Sequence, residues 1–370
     1  MGGSSSSTTT SDASNNAAQV LSFKMLSSLL KDNENIVISP YSAYVTLMMV
    51  ASVCPEFSRK QILEALHLKD DLTPEEILSA LKILIKKIED TSEATIRSCN
   101  NIWPDAKKGK LNLLQPLKDH LGIKITPVEF PQPGCDIINQ KVSELTEGCI
   151  KDLLQPSDLE ECKYVITNAL YFNAEWINQF DPDYTRDLTF YNFNGTEKTQ
   201  FMHETSDFMY YQNSDLQILG MDYHGDYCLQ IFLPTQKDIN SFNKLKDSLT
   251  MQYASYIKQL RREEVRVDIP KFKFEWGTKS IVGVLHDLGI TDVFVAEEDQ
   301  FYINDIVQKA YIDVNEAGTT AAAATAAETL ETCLISPNKE PPTFVADHPF
   351  IFTIANKNGT ILFTGAYQKP

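Results

Sequence analysis

The side chains most often used in catalysis are dispersed along this chain in no pattern typical of an enzyme. No two of the six histidines have the spacing of a metal-binding pair: His67, His120, His203, His224, His286 and His348. Seven cysteines lack a C-x-x-C pair, which argues against a zinc site or a disulfide framework. HExxH, GxSxG and glycine-rich phosphate loops are also absent. We predict a non-enzyme without metal or cofactor; the alternative is an α+β enzyme whose site is assembled only in space.

One segment has an unusual composition. Residues 316–327 read Glu-Ala-Gly-Thr-Thr-Ala-Ala-Ala-Ala-Thr-Ala-Ala, and a charged stretch with three prolines follows before Phe344. Alanine favours helices, but this run has no apolar stripe with which a helix could pack. Its short side chains and its freedom from proline as far as Ser336 suit a strand that slips between two existing strands. From Gly318 to Thr332 such a strand would measure about 45–50 Å.

The elements that would position this segment are also visible. Lys309–Asn315 alternates like a strand just before it, and Tyr164–Phe172 is nearly all apolar, as expected for a strand covered on both faces. Ser39-Pro40 and Thr73-Pro74-Glu75-Glu76 predict helix starts, because Ser and Thr cap a first turn in which proline is tolerated. Ile351–Ala366 predicts a C-terminal hairpin.

Composition limits the partners. The chain has 370 residues, a formal net charge of -17 and a pI near 4.8, which argues against nucleic acid and anionic membranes. No apolar run reaches the length of a membrane helix. With neither repeats nor a linker, we predict one α+β domain over residues 18–370 and a disordered polar tail over residues 1–17. We also expect the protein to be a monomer.

No secretion signal is visible at the N-terminus, and the scattered thiols suit a reducing environment. A cytoplasmic location is therefore expected. The alternative is that the protein is released to the extracellular space by an unconventional route.

Several motifs, taken in order, resemble the serpin superfamily, in particular its inhibitory intracellular ov-serpin-like members. Residues 316–327 are similar to the hinge of a serpin reactive-centre loop. Four further stretches match in family order: Asn35–Ser42, Thr167–Trp176 followed by Phe180-Asp181, Asp268–Phe272, and Phe344–Phe352 with Phe363–Gly365. The resemblance implies a single α+β domain with three β-sheets, eight to nine helices and an exposed reactive-centre loop at about residues 316–343.

The resemblance also implies a mechanism. A serine protease cleaves the loop, becomes covalently attached as an acyl-enzyme, and is carried away as the loop inserts into the main sheet. Glu316 would end a strand and Gly318 would be the pivot. The side chains that would point into the core after insertion are Thr319, Ala321, Ala323, Thr325 and Ala327. None is large or charged, which favours an inhibitor over the alternative, a non-inhibitory serpin with a chaperone, storage or binding role.

Spacing from the hinge in the family places the reactive bond at Thr332-Cys333. Threonine at this position would direct the loop to an elastase-like protease. Leu330 and Leu334 are alternatives that would suit chymotrypsin- or cathepsin-G-like proteases, and Lys339 is a trypsin-type alternative. The resemblance further implies a shutter and breach around Ser39, Asn168 and Trp176. Gln308 stands where the family has a histidine, and we expect it to hydrogen-bond to Ser39 or Asn168 without titrating.

Overall fold

The computed structural model describes residues 6–89, 93–123, 125–296, 300–319 and 340–370. Eight α-helices lie within these ranges: α1 Ser6–Leu29, α2 Pro40–Ala51, α3 Glu56–Ala65, α4 Pro74–Glu89, α5 Gln115–Leu121, α6 Gly134–Leu145, α7 Ile239–Ile257 and α8 Val282–Asp287. No helix in this part of the chain is both long and apolar enough to cross a bilayer.

Fifteen β-strands lie in the same ranges. They are β1 Ile36–Ile38, β2 Thr95–Ser98, β3 Asn101–Pro104, β4 Tyr164–Glu175, β5 Arg186–Asn192, β6 Gly195–Gln212, β7 Leu216–Asp222, β8 Tyr227–Pro234, β9 Arg261–Pro270, β10 Phe272–Ser280, β11 Asp305–Val314, β12 Gly318–Thr319, β13 Thr343–Val345, β14 Phe350–Asn356 and β15 Ile361–Tyr367. Helices dominate the first half and strands the second, as the sequence predicts.

The strands form two hydrogen-bonded sheets. The larger has the order β1-β15-β14-β8-β7-β6-β9-β13 with β5 beside β6, and the six-stranded sheet has the order β10-β11-β12-β4-β2 with β3 beside β4. We expected three sheets, whereas the structure has two. The difference arises because β6 is 18 residues long. It pairs with β5 and β9 at one end and with β7 at the other, so two expected sheets are continuous.

The strand β4 is buried on both faces, as its apolar sequence predicts. Ile166, Leu170 and Phe172 pack into the large core between the sheets. Val165 and Ala169 point the other way, into a smaller core beneath α6, because successive side chains of a strand alternate. The six-stranded sheet is thus enclosed at its centre.

Two predicted helix starts are confirmed. The Ser39 hydroxyl accepts a hydrogen bond from the Ser42 amide at 3.2 Å at the start of α2. At α4, Thr73 and Glu76 exchange backbone and side-chain hydrogen bonds of 2.9–3.3 Å, which is a capping box.

The first helix starts inside the segment predicted to be a polar N-terminal tail. The helix α1 begins at Ser6, inside the segment of residues 1–17 expected to be disordered. Leu21 and Met25 anchor this helix in the core. Once a helix is nucleated, each added residue contributes a hydrogen bond at little cost, so the helix extends into a stretch that composition disfavours.

Candidate functional site

The two central strands of the six-stranded sheet run side by side and in parallel. Residues 305–310 of β11 pair with residues 165–170 of β4, in register. We call this junction the seam. An additional strand could enter here, because the facing edges of β4 and β11 are hydrogen-bonded only to each other along the seam.

At its upper end the seam is already open. The short strand β12 lies between β4 and β11 and is antiparallel to both: Gly318 is opposite Glu175, and Thr319 is opposite Ala174 on one side and Val314 on the other. The chain therefore leaves β11, turns back, and starts a third strand between the two. A longer β12 would run down the seam.

The strand β4 approaches residue 318 so closely that only glycine fits there. A Cβ atom at this position would lie 2.1 Å from the Ala174 carbonyl oxygen and 2.8 Å from the Glu175 Cα atom. No side chain fits such a space, so the backbone can enter the sheet here only as glycine. This contact explains why the predicted pivot is a glycine.

Thr319 is buried against an aromatic pair. Its side chain is 2% exposed, and its Oγ1 lies 2.5 Å from the Tyr223 hydroxyl. Tyr223 stacks on Trp176, with ring centroids 4.2 Å apart and planes at 17°. Burial raises the pKa of Tyr223 far above its ordinary value, so its phenol keeps the proton needed for this hydrogen bond.

The turn that precedes β12 is held by donors from the segment after β4. The indole Nε1 of Trp176 donates to the Asn315 carbonyl at 2.9 Å. The backbone amides of Trp176 and Phe180 donate at 3.0 Å to the carbonyls of Ala317 and Glu316. These hydrogen bonds keep β4 and β11 far enough apart at the upper end of the seam to hold β12 between them.

The carboxylate of Glu316 is also paired. It lies 3.0 Å from the Lys271 Nζ and accepts a 2.7 Å hydrogen bond from the Thr185 hydroxyl. Burial alone would raise the pKa of Glu316, but these partners outweigh it and lower the pKa below its usual range. Glu316 is charged at neutral pH and ties the turn to two other elements.

Lower down, a neutral amide network closes the seam. Gln308 Nε2 donates to the Asn168 Oδ1 at 2.8 Å, directly across the seam, and to the Ser39 carbonyl at 3.0 Å. Its Oε1 accepts from the Ser39 amide at 3.2 Å. Asn168 donates in turn to Thr46 at 3.3 Å. The sequence predicts a hydrogen bond from Gln308 to Ser39 or to Asn168, and Gln308 bonds to both residues.

The structure brings the predicted residues together in two groups. Ser39, Asn168 and Gln308 form the lower network, while Trp176 and residues 316–319 meet at the upper end. Thr319 differs from expectation in one respect: it is buried before any cleavage, since β12 is already in place. The other predicted residues lie outside the described part of the chain: Ala321, Ala323, Thr325, Ala327, Leu330, Thr332, Cys333, Leu334 and Lys339.

Two residues of this site are missing from the sequence-based prediction. Tyr223 follows β7 in the larger sheet and meets Thr319 only through the fold, so nothing local marks it. Lys309 is 8% exposed in the six-stranded sheet. A lysine at the start of the strand-like pattern of Lys309–Asn315 is a signal that could have been used, because lysine is seldom buried without a partner.

Metal ligands and reactive thiols were also sought. Among the described residues, no group of histidine, cysteine and carboxylate side chains could hold a metal ion. Burial raises the pKa of the Cys54 thiol to about 12 and those of Cys99 and Cys162 to about 11, so these thiols stay protonated and are poor nucleophiles.

Comparison with known proteins agrees with this geometry. A family model described as Serpin (serine protease inhibitor) matches residues 16–370. An uncharacterized serpin-like protein of Thermococcus kodakarensis is 34% identical, with 96% of this chain and 85% of that protein covered.

Two solved structures have a TM-score of 0.84. One is Serpin48 of the insect Tenebrio molitor, 28% identical with 100% of both chains covered. The other is human thyroxine-binding globulin complexed with its ligand, 22% identical with 97% of this chain and 98% of that chain covered; at this identity the likeness concerns the fold alone.

Proposed function

This protein belongs to the serpin family, and from that premise we propose that it inhibits serine proteases as a suicide substrate. The loop that follows β12 would be cleaved by the target protease and would then insert into the seam. The protein acts once per molecule and is not itself a catalyst.

The observation that carries this proposal is β12. Its two residues stand between β4 and β11 with the direction that an inserting strand needs. The sequence beyond it supplies short side chains from Thr320 to Ala327 and a backbone N–H group at every residue as far as Ser336. Insertion would therefore extend an existing strand rather than start a new one.

The covalent step belongs to the protease. Its serine oxygen attacks the carbonyl carbon of the reactive bond, the peptide C–N bond breaks, and the new amino group takes up the proton that the serine loses. The N-terminal part of the loop is then an ester of the protease. Hydrolysis of that ester by water would free the enzyme, so inhibition requires that insertion be faster than hydrolysis.

The reactive bond and target class rest on the sequence alone. We keep Thr332-Cys333 as the proposed bond, with Leu330, Leu334 and Lys339 as alternatives, and chymotrypsin-, cathepsin-G- or elastase-like enzymes as proposed targets. A monomeric state, a cytoplasmic location and unconventional release are likewise proposals.

A second candidate is a non-inhibitory serpin with a binding role. The likeness to thyroxine-binding globulin is the observation in its favour, although it concerns the fold. This candidate predicts cleavage of the loop without capture of the protease.

A gel experiment tests the proposal. The protein is incubated with chymotrypsin, elastase, cathepsin G and trypsin, and the products are separated under denaturing conditions. A protease–protein band that survives denaturation supports inhibition, and mass spectrometry of the released C-terminal peptide identifies the reactive bond. Cleavage with a large rise in melting temperature but no complex supports the non-inhibitory alternative. Cleavage with neither result contradicts the insertion mechanism.

A further inference from the structure

A cleft of about 490 Å³ lies in the larger sheet, at the place where the chain returns to it after the loop. Its walls come from the end of β6, the start of β9 and the two residues before β13. This cleft is here called the basal cleft, and the residues that matter for its chemistry are Tyr210, Tyr211, Arg261, Glu263, Glu340 and Pro342.

The backbone fixes the position of the basal cleft at the C-terminal base of the loop. Residues 343–345 pair in parallel with residues 266–268 of β9, and the Arg266 amide donates to the Pro342 carbonyl at 2.9 Å. Followed back from Pro342, the chain therefore runs along β9 toward the start of that strand. Glu340 lies on this stretch and forms part of the wall of the cleft.

The basal cleft carries an excess of negative charge. Glu263 and Glu340 are both exposed, and within the described ranges neither carboxylate has an ion-pair partner. The cation among the described lining residues is Arg261, whose Nη1 donates to the carbonyls of Lys258 and Leu260 at 2.9 and 2.7 Å. These carbonyls end α7, where the helix dipole favours a cation. Arg261 is thus already engaged, and both carboxylates remain available.

Two phenol rings complete the lining. Tyr210 is buried, and its hydroxyl donates to the Gln212 Oε1 at 2.9 Å. Burial, and after it the charge of Glu263, raise the pKa of Tyr210 to about 12, so this phenol is neutral. Tyr211 is half-buried. The face of a neutral phenol ring attracts a cation, and carboxylates beside the ring attract the same cation.

A protease that attacks the loop would stand over the basal cleft. All of the proposed reactive bonds lie within ten residues of Glu340, and a chain of that length spans at most about 36 Å. A domain of about 200 residues has a radius of gyration of roughly 17 Å. Its surface would therefore reach the cleft while its active site holds the loop.

We propose that the basal cleft binds a basic side chain, arginine or lysine, on the surface of the target protease. The contact forms as the loop is bound and before the peptide bond breaks, so it raises the rate of attack and leaves the rate of insertion unchanged. Complementary charges act mainly on association, and the net charge of -17 attracts the same class of partner from a distance. This inference rests on the proposed function, because the partner is the protease that attacks the loop.

The test measures how fast the loop is attacked. Each protease of the gel experiment is mixed with the protein, and the loss of intact protein, into complex or into cleaved product, is followed on denaturing gels. For the protease that attacks the wild type fastest, we expect Glu263→Gln combined with Glu340→Gln to lower the second-order rate about tenfold at low salt. In about 1 M salt the screening length falls to about 3 Å, so the two rates should become similar.

Two further variants complete the design. Glu64→Gln removes the same charge from an exposed position on α3 and should be attacked at the wild-type rate. Tyr211→Leu keeps an apolar side chain but removes the ring face, so a decrease of about threefold is expected. In every variant the gain in melting temperature on cleavage should equal that of the wild type, because the seam is unchanged.

The outcomes separate the two ideas. Wild-type protein that is cleaved but captures no protease contradicts the proposed function, and the rates of cleavage still decide on the basal cleft. Equal rates of attack on the wild type and on the double variant contradict the cleft as a docking site. A decrease that persists in 1 M salt also contradicts it, as does a dimer of the protein alone that dissociates in the double variant, since a second copy would then occupy the cleft.

Discussion

The two ends of the seam differ in whether a third strand separates β4 from β11. At the upper end, β12 already separates β4 from β11, and Trp176 holds the turn at that width. At the lower end, Gln308 and Asn168 are in direct contact across the seam. Contacts at the upper end can therefore survive insertion, whereas the contact between Gln308 and Asn168 cannot. The effect of a substitution should therefore depend on the end of the seam at which it lies. A change at the lower end should destabilise the native form more than the inserted form, and a change at the upper end should affect both.

The largest effect is expected from a charge on β12. Thr319→Arg would place an unpaired cation at a site that is 2% exposed, and burying a charge without a partner is costly. The cation should keep β12 out of the sheet in the native form, so that insertion has to bury it. The loop should still be cleaved but insert slowly, and the moles of protein consumed per mole of protease inhibited should rise about tenfold or more.

Titration of a susceptible protease measures this ratio. Thr196→Arg, at an exposed position on β6, provides the matched control and should inhibit like the wild type. Unchanged inhibition by Thr319→Arg would mean that this position is not part of the inserting strand.

The next effect concerns the lower end. Gln308→Leu removes the bonds to Ser39 and Asn168 and leaves their buried groups unpaired, which should lower the unfolding free energy of the native form by about 3 kcal/mol. The cleaved form should lose less, because its seam no longer contains the Gln308–Asn168 contact. Urea unfolding of the native and cleaved proteins measures the two losses, and equal losses would contradict a seam closed by this contact.

At the upper end we expect a smaller loss of stability that is equal in the native and cleaved forms. Tyr223→Phe removes the hydrogen bond to Thr319 while keeping the stacking on Trp176, at a cost of about 1 kcal/mol. Since β12 has the same neighbours before and after insertion, native and cleaved forms should lose equal stability. A loss confined to the native form in the same urea experiment would show that β12 moves during insertion.

The smallest effect depends on pH. The lowered pKa of Glu316 means that its ion pair stabilises the fold above the ordinary glutamate pKa of about 4.3 and that this stability is lost as pH falls through the lower folded value. Glu316→Gln should be about 1 kcal/mol less stable at pH 7, with a difference that narrows below about pH 4.

Urea unfolding between pH 3.5 and pH 7 follows this difference. Asp226→Asn breaks an exposed pair with Lys357 and should change stability by less than about 0.5 kcal/mol at any pH. A gap between wild type and Glu316→Gln that stays constant with pH would contradict the role given to the carboxylate.

Much of the site follows from local sequence. The composition of residues 316–327 predicts a strand able to enter a sheet, because short side chains and free N–H groups are properties of the segment itself. Ser39 and the Thr73–Glu76 pair predict their helix starts for the same reason, since a cap needs partners within one turn. Even the bonds from Gln308 to Ser39 and Asn168 follow from residue types once the resemblance is recognised.

Other features depend on contacts between distant parts of the chain. The start of α1 at Ser6 reflects extension from an anchored helix rather than the propensity of its residues. Tyr223 meets Thr319 because β7 ends beside the upper seam, 96 residues away in sequence. The sequence alone predicted a strand-forming loop. Only the tertiary structure decided that Gly318 and Thr319 already lie in the sheet and that the Lys309 amine donates to the Lys151 carbonyl. Packing sets those distances, and no local pattern encodes them.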